Sequence, residues 1–371
     1  MKKQIVFLGL LLLAGCSRQE QEWSSITSPA SEHIRLESVQ IKKVELDSIY
    51  CSGVGFSAYV NTGQICWFDS YFGNLYTFDL SGKLTGKQFG AGNGPGELRI
   101  LNPFGFFLDE TGDLTLVGNN LDVETHTVEG DEDYFTILYH PNGVGDSDSF
   151  STYTHSILPD LHKKGDNVLY GVYSEHPNFN MVSHPSKFVR EAYHIAQINC
   201  KTHKGSVIVQ GFPKAYYKNP HMMFSFSFIR FDLLPDDKLL VNFEATPELY
   251  VCDPKGHPIR AFGSPGKDMD QEYLSVSSFE PEEISKFRIN RETKGYYGAI
   301  WVKGNKVFRT YKKGGGSPVD GLQIYEDEIL IADLDVPKDF SVIGLNGNTL
   351  ISSVFWDEEC ERLYCYEVEM E

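Results

Sequence analysis

A strand–turn–strand unit that recurs along the chain is the feature that most limits its fold. Leu75-Tyr76-Thr77-Phe78-Asp79-Leu80-Ser81-Gly82 leads into Phe89-Gly90, and Leu249-Tyr250-Val251-Cys252-Asp253-Pro254-Lys255-Gly256 leads into Phe262-Gly263. In both, apolar residues alternate, an acidic residue opens a turn and a glycine closes it. That is the period of a half-buried strand with the positive φ that such turns need. Weaker copies stand at 137–143, 195–200, 307–314 and 363–367. Aligned on the Asp79 position, the anchors fall at residues 79, 140, 200, 253, 311 and 367, at intervals of 53 to 61 residues. Six units of similar length describe a repeat architecture.

A second hairpin pattern, apolar strand, polar turn, apolar strand, occurs at 107–116, 233–241, 325–331 and 343–351. Two hairpins per unit make four strands. The expected fold is therefore all-β, a six-bladed β-propeller of four-stranded antiparallel blades over residues 32–371, with a pair of β-sandwiches as the competing reading. Radial closure hides the strand edges that so strand-rich a chain would otherwise expose. Residues 33–46, with Ile34, Leu36, Val39, Ile41, Val44 and Leu46, offer a strand that closes the ring on the last blade. The periodicity of long helices is absent, and only 271–291 reads as a short helix, decorating a loop.

The N-terminus carries an address. Met1-Lys2-Lys3, an apolar run from Ile5 to Leu13 and the small residues before Cys16 have the parts of a secretory signal over residues 1–15. The run is about half of what is needed to span hydrocarbon. Leu13-Ala14-Gly15-Cys16 resembles the lipobox of bacterial lipoproteins, which implies cleavage after Gly15 and lipidation of Cys16. Several acyl chains together give stable anchoring where one is marginal. Residues 16–31 then read as the lipidated cysteine and a flexible polar tether. Acidic residues just past Cys16 are similar to the signals that send some Bacteroidetes-type lipoproteins to the cell surface. The expected location is the cell envelope, as an outer-membrane lipoprotein leaning towards surface display.

Charge excludes one class of partner. The whole chain carries a formal −18, and loss of Lys2 and Lys3 with the signal leaves −20. No Lys/Arg cluster relieves that field, so nucleic acid is not an expected partner and the lipid on Cys16 is the only expected membrane contact. The six cysteines other than Cys16 lie mostly within strand patterns and read as buried thiols. Cys51/Cys66 and Cys360/Cys365 are the pairs near enough in sequence for a local bridge.

Phe89-Gly90-Ala91-Gly92-Asn93-Gly94-Pro95-Gly96-Glu97-Leu98, with shorter echoes at Phe262-Gly263-Ser264-Pro265-Gly266-Lys267 and Gly315-Gly316-Ser317-Pro318, follows a blade-like strand in a chain that has a lipobox. In this it resembles the TolB-like six-bladed propeller lipoproteins of Bacteroidetes. The resemblance implies the fold and an exported address, and supplies no catalytic residues. The glycines and Pro95 serve as a crossing between blades. A phosphate cradle would need Gly-Lys-Ser/Thr or G-x-G-x-x-G spacing, and neither is present.

Residues that could carry chemistry are scattered. Six of the eleven histidines, His155, His162, His176, His184, His194 and His203, crowd one stretch without metal-ligand spacing. Neither a metal nor another cofactor is expected. Acidic runs at Asp236-Asp237 and 326–328 read as solvated turns. No G-x-S-x-G elbow or EF-type calcium loop occurs. The long stretch 175–193 interrupts the third unit and marks a binding face. His155, Arg230 and Tyr297, near the starts of expected innermost strands, are the candidates for a ligand site in the axial funnel. The expected function is a lipid-anchored binding module for a protein or glycan partner. The alternative is an exported hydrolase or lyase acting on a carbohydrate or lactone at the funnel.

Overall fold

The structure is a computed structural model that describes residues 23, 26, 31–60, 62–118, 122–136, 160–172 and 181–370. Six antiparallel sheets radiate from one axis, four strands (A innermost to D outermost) in each blade. Blade 1 runs Gly55–Val60, Gln64–Asp69, Asn74–Phe78 and Leu84–Gln88. Blade 2 is Gly105–Leu108, Leu114–Val117, Asp122–His126 and Glu132–Thr136. Blade 3 is Leu161–Lys164, Asn167–Gly171, Tyr193–Asn199 and Lys204–Gln210. Blade 4 is Ile229–Leu233, Leu239–Phe243, Leu249–Cys252 and Pro258–Phe262. Blade 5 is Tyr296–Lys303, Lys306–Lys312, Asp320–Glu326 and Ile329–Val336, with Glu32–Leu36 added in parallel on its outer edge. Blade 6 takes strands A to C from Val342–Asn346, Thr349–Ser352 and Arg362–Glu369.

The ring closes where the sequence placed its closing strand. Gln40–Glu45 is strand D of blade 6, paired antiparallel with Arg362–Glu369 so that Val44 faces Cys365 and Lys42 faces Glu367. The core is divided among the seams between blades, with one apolar cluster in each of six. Between blades 6 and 1, for example, Val44, Ile65, Trp67, Phe78, Ile351 and Leu363 pack together, and between blades 4 and 5, Leu240, Val251, Phe262, Ile300 and Tyr325 do so. A blade is covered on both faces, which is why strands such as Gln64–Asp69 and Leu239–Phe243 are buried along nearly their whole length rather than alternately.

Two of the six expected repeat units keep their register closely. Asp79 and Asp253 open the C–D turns of blades 1 and 4, each accepting backbone N–H groups two and four residues on. Cys200 lies in the C–D turn of blade 3, where Asn199 plays that part by accepting from Thr202. The other anchors do not correspond. Blade 2 turns at Thr127, and position 140 lies outside the described residues. Tyr311 sits in strand B of blade 5, and Glu367 in strand C of blade 6. The even spacing was partly produced by unequal loops that compensate one another. The turn glycines have a second duty besides their positive φ. A Cβ on Gly82 would lie 2.1 Å from the Glu45 carbonyl, and one on Gly256 would lie 2.2 Å from the Val209 nitrogen. Each C–D turn thus abuts the outermost strand of the preceding blade.

In an antiparallel meander the A–B and C–D turns share one face, and the B–C and D–A connections share the other. The first face is plain. Gly165-Asp166, Gly304-Asn305 and Gly347-Asn348 are two-residue turns, each glycine with positive φ. The second is elaborated with α1 (Pro185–Glu191) within blade 3, α2 (Met223–Phe226) between blades 3 and 4, and α3 (Pro281–Thr293) between blades 4 and 5. The glycine-rich segment 89–98 also crosses on this face, from blade 1 to blade 2. Its backbone donors are taken by the protein's own carboxylates. Gly94 N–H donates to Glu97 (2.8 Å), Gly96 N–H to Glu132 (3.0 Å), and the Ile100 N–H to Glu124 (2.8 Å).

One part of the expected tether is not loose. Trp23 is 4% exposed, donates its indole N–H to the Gln210 carbonyl (2.8 Å), and meets Phe243 and Tyr250 edge-on in the seam between blades 3 and 4.

Candidate functional site

The six A strands surround an axial channel, and at the plain face it widens to a cavity of about 350 Å³ reached by side chains from every blade. Tyr59 comes from blade 1, Phe106 and Phe107 from blade 2, His162 from blade 3, Asp232 from blade 4 and Trp301 from blade 5, with Ile343 of blade 6 completing the wall. Aromatic faces and ionisable groups therefore share one small space.

The His162–Asp232 pair is the chemical centre of this wall. His162 Nε2 lies 3.1 Å from the Phe231 carbonyl, and Nδ1 lies 3.5 Å from Asp232 Oδ1. The ring also rests edge-on against Phe231. Asp232 accepts the N–H of Leu233 at Oδ1 and of Val302 at Oδ2, both at 2.7 Å, so it stitches blade 4 to blade 5. Burial pushes the Asp232 carboxyl above the usual carboxylate range, while His162 and these N–H groups pull the other way. Both nitrogens of His162 face acceptors, and a neutral imidazole has one N–H to offer. Ring and carboxylate thus face one another as a single polar pair at the edge of the cavity.

At the mouth, Lys303 of blade 5 reaches across the axis to Glu110 of blade 2 in an ion pair. Both partners are well exposed, so the pair is a weak strap over the opening. Asp109, also at the rim, is committed to its turn. Its Oδ1 accepts from the backbone of Thr111, Gly112 and Asp113 at 2.8–2.9 Å.

The three expected ligand residues do not meet in the cavity. His155 lies outside the described residues. Arg230 is on the A strand of blade 4 but at the elaborated end, where it pairs with Asp160 at 2.9 Å while Asp160 also accepts the Phe231 N–H. Tyr297 is a correction. It is fully buried in the seam between blades 4 and 5, its ring 4.2 Å below the Arg309 guanidinium and its hydroxyl accepting the Gly266 N–H. A bulge between Tyr297 and Ile300 shifts the alternation of this strand, so the face that Tyr297 occupies is not the one Trp301 presents to the channel. Among the remaining histidines, His194 is buried beside Phe212 with its pKa pushed down to about 3 by burial, and His203 stacks on Phe135. His176 lies outside the described residues. Among the described residues no group of three His, Cys, Asp or Glu is placed to hold a metal ion. Cys51, Cys66, Cys200, Cys252, Cys360 and Cys365 are free thiols, and burial pushes Cys66 and Cys365 up to about 12.

Two buried charges had no sequence signal at all. Glu244, under α3, accepts from Arg291 at 2.7 Å and from the Phe228 N–H, and burial pushes its pKa up against the pull of Arg291. Arg309, wholly buried, donates to the carbonyls of Pro247 and Ser264, to Gln323 and to the Tyr325 hydroxyl. Both act in the seams rather than in the cavity.

No protein-family model and no curated protein matches the chain. Solved structures do. An exported protein from Bacteroides fragilis aligns over 92% of this chain and 99% of its own, at 14% identity and a TM-score of 0.52. A virginiamycin B lyase from Staphylococcus aureus covers 90% and 100% at 11% identity with a TM-score of 0.44, and a calcium-binding protein, regucalcin, from Agrobacterium tumefaciens covers 91% and 98% at 11% and 0.45. At 14% identity the likeness to the Bacteroides fragilis protein is one of fold alone, and this chain's fold is the six-bladed β-propeller.

Proposed function

We propose that this chain is a lipid-anchored protein of the cell envelope, an outer-membrane lipoprotein displayed towards the surface, that binds a short carbohydrate segment in its axial cavity. The observation that carries the reading is the composition of the cavity wall. Tyr59, Phe107 and Trp301 offer flat apolar faces of the kind that pack on the C–H face of a sugar ring, while Asp232 and His162 offer hydrogen-bonding groups for its hydroxyls. A volume of about 350 Å³ holds one or two sugar rings. The lipobox at Cys16 and the resemblance of segment 89–98 to the TolB-like lipoproteins support the envelope address. Titration calorimetry of the fragment from Ser17 against a glycan panel tests it. Binding that is lost in Trp301→Ala while circular dichroism shows the fold retained is the expected result, and binding of equal strength in that variant removes the cavity from the account.

The His162–Asp232 pair favours a second reading, a hydrolase or lyase that uses the pair to move a proton on a carbohydrate or lactone. Product formation from a glycan that binds, lost in His162→Ala with binding retained, would select this reading over a pure binder.

A further inference from the structure

Around the B–C turn of blade 1 the protein holds apolar side chains out in solvent. Tyr50 and Tyr71 are 82% and 61% exposed, Val54 is 62% and Leu101 39%. They come from three segments: the connection 46–54 from blade 6, the turn 70–73, and the crossing from blade 1 to blade 2. Phe72 is their meeting point. Tyr50 stacks on its ring at 5.3 Å with 29° between the planes, Tyr71 meets it edge-on at 5.2 Å, and Leu101 lies against the neighbouring Gly73. All three segments are fixed from beneath. Asp69, wholly buried, accepts the backbone N–H groups of Ser52, Tyr71 and Phe72 and the Ser52 hydroxyl. Ser70 donates its N–H to the Val54 carbonyl and accepts the Asn102 N–H, while the Tyr76 hydroxyl donates to the Tyr50 carbonyl at 2.8 Å. Gly53, at φ +74, lies on the Trp356 ring, where a Cβ would come within 2.9 Å of Nε1. A buried carboxylate and a set of backbone bonds thus keep rings exposed that burial of apolar surface would favour turning inward.

Size and charge select what such a platform takes. At these exposures it offers about 500 Å², the scale of the largest apolar patch on an ordinary monomer, against ~800 Å² from each side of a stable protein interface. The chain's formal charge of −18 disfavours anionic polymers and anionic lipid headgroups. One face of Tyr50 is covered by Phe72 and the other is open, so a flat ring is ready to receive the C–H face of a sugar, with tyrosine hydroxyls beside it for hydrogen bonding. We propose that Tyr50, Tyr71 and Phe72 form a second binding site, a surface platform for a neutral polysaccharide chain. Val54 immediately precedes the strand that carries Tyr59 into the axial cavity, and the step from 54 to 59 spans roughly 17 Å of extended backbone. The platform therefore stands at the other end of blade 1 from the cavity and takes a different stretch of sugar. The proposal depends neither on what the cavity binds nor on the lipid.

Native electrophoresis of the full chain in non-ionic detergent, through gels that hold laminarin, xylan, galactomannan or glycogen, tests it. Retardation by at least one of these polymers is expected, with the apparent affinity about tenfold lower in Tyr50→Ala and kept in Tyr50→Trp, which preserves a flat face. The Tyr50 side chain is largely in solvent and its bond to Tyr76 uses the main chain, so the variant retains the fold. Tyr71→Ala provides a second loss of affinity from an independent position. Failure of all four polymers to give a Tyr50-dependent retardation overturns the platform. Retardation that falls in Trp301→Ala but not in Tyr50→Ala also overturns it, and leaves the cavity reading standing. Self-association in sedimentation that disappears in Tyr50→Ala makes a second copy the occupant. Quenching of Tyr50→Trp by brominated phosphatidylcholine vesicles, beyond that of the parent chain, makes it a lipid surface. Either of these results overturns the proposal.

Discussion

The two faces of the propeller are built from the same strands by different rules. On the plain face the connections run from two to five residues, and positive-φ glycines at 165, 304 and 347 close three of the shortest. On the elaborated face the chain inserts three helices and buries Glu244 and Arg309 against its connections. Tight turns need no buried polar groups, because the strand ladder satisfies the backbone almost to its end. Inserted segments bring unpaired backbone and side-chain groups against the blades, and each must find a partner on the way in. The cavity opens on the face with the simpler construction, where a rigid rim fixes the geometry of its wall.

The contrast can be broken at several points, and the sizes of the effects follow from it. Removing the Glu244 carboxylate in Glu244→Ala leaves the Arg291 guanidinium without its buried counter-charge and loosens α3, at a cost of about 3–5 kcal/mol. Chemical denaturation measures the loss, and increased proteolysis at 263–295 shows where it acts. On the plain face, Gly256→Val forces a side chain into the Val209 backbone at φ +84. The expected destabilisation is about 2–4 kcal/mol, with calorimetry as the check and a result near zero showing that the blades slide apart easily.

Glu124→Gln sharpens the comparison at a crossing that has no helix. Burial raises the Glu124 pKa, but the hydrogen bonds from His126, Ile100 and Arg99 outweigh it and hold the carboxyl below its ordinary value of 4.5. A carboxylate depressed in this way stabilises the fold above its unfolded pKa and loses that contribution as pH falls through the folded value. The variant should therefore be weaker by about 1.5–3 kcal/mol at pH 7 and approach the parent as the pH nears 3, read from denaturation curves at several pH values. The smallest effect belongs to Lys303→Ala. Loss of an exposed ion pair with Glu110 should change stability by less than about 1 kcal/mol, yet unstrap the cavity mouth and speed ligand association in a salt-sensitive manner.

The sequence showed the ring more clearly than the site. Strand hairpins are local, so the alternation around Asp79 and Asp253 and the closing strand near Val44 could be read from neighbouring residues. Register across the whole ring could not, because long connections between blades 2 and 3 and between blades 4 and 5 shift the anchors at 140 and 311 while preserving the overall rhythm. The cavity is the opposite case. His162 stood out only as one histidine of a crowd, and nothing in the spelling of their strands marks Asp232 or Trp301. They converge because they occupy equivalent heights on different A strands, a relation that no local pattern carries. Tyr297 failed as a candidate for a similar reason, since the bulge that turns it into the seam has no mark in the spelling of the strand. Trp23, embedded in polar residues, gave no hint that a slot awaited it.

The strand Gln40–Glu45 has a consequence for how the molecule is made. The rest of its sheet comes from Val342–Asn346, Thr349–Ser352 and Arg362–Glu369, so Val44 waits for Cys365 across more than three hundred intervening residues. Blades 1 to 5 can take shape as they emerge, but the apolar flanks of blades 1 and 6 stay open until the final strand arrives. A chain that stops at Glu361 lacks strand C of blade 6 and is an unsealed ring with a sticky gap, more open to proteolysis than a closed one. The ring is sealed only once Arg362–Glu369 has been made and paired.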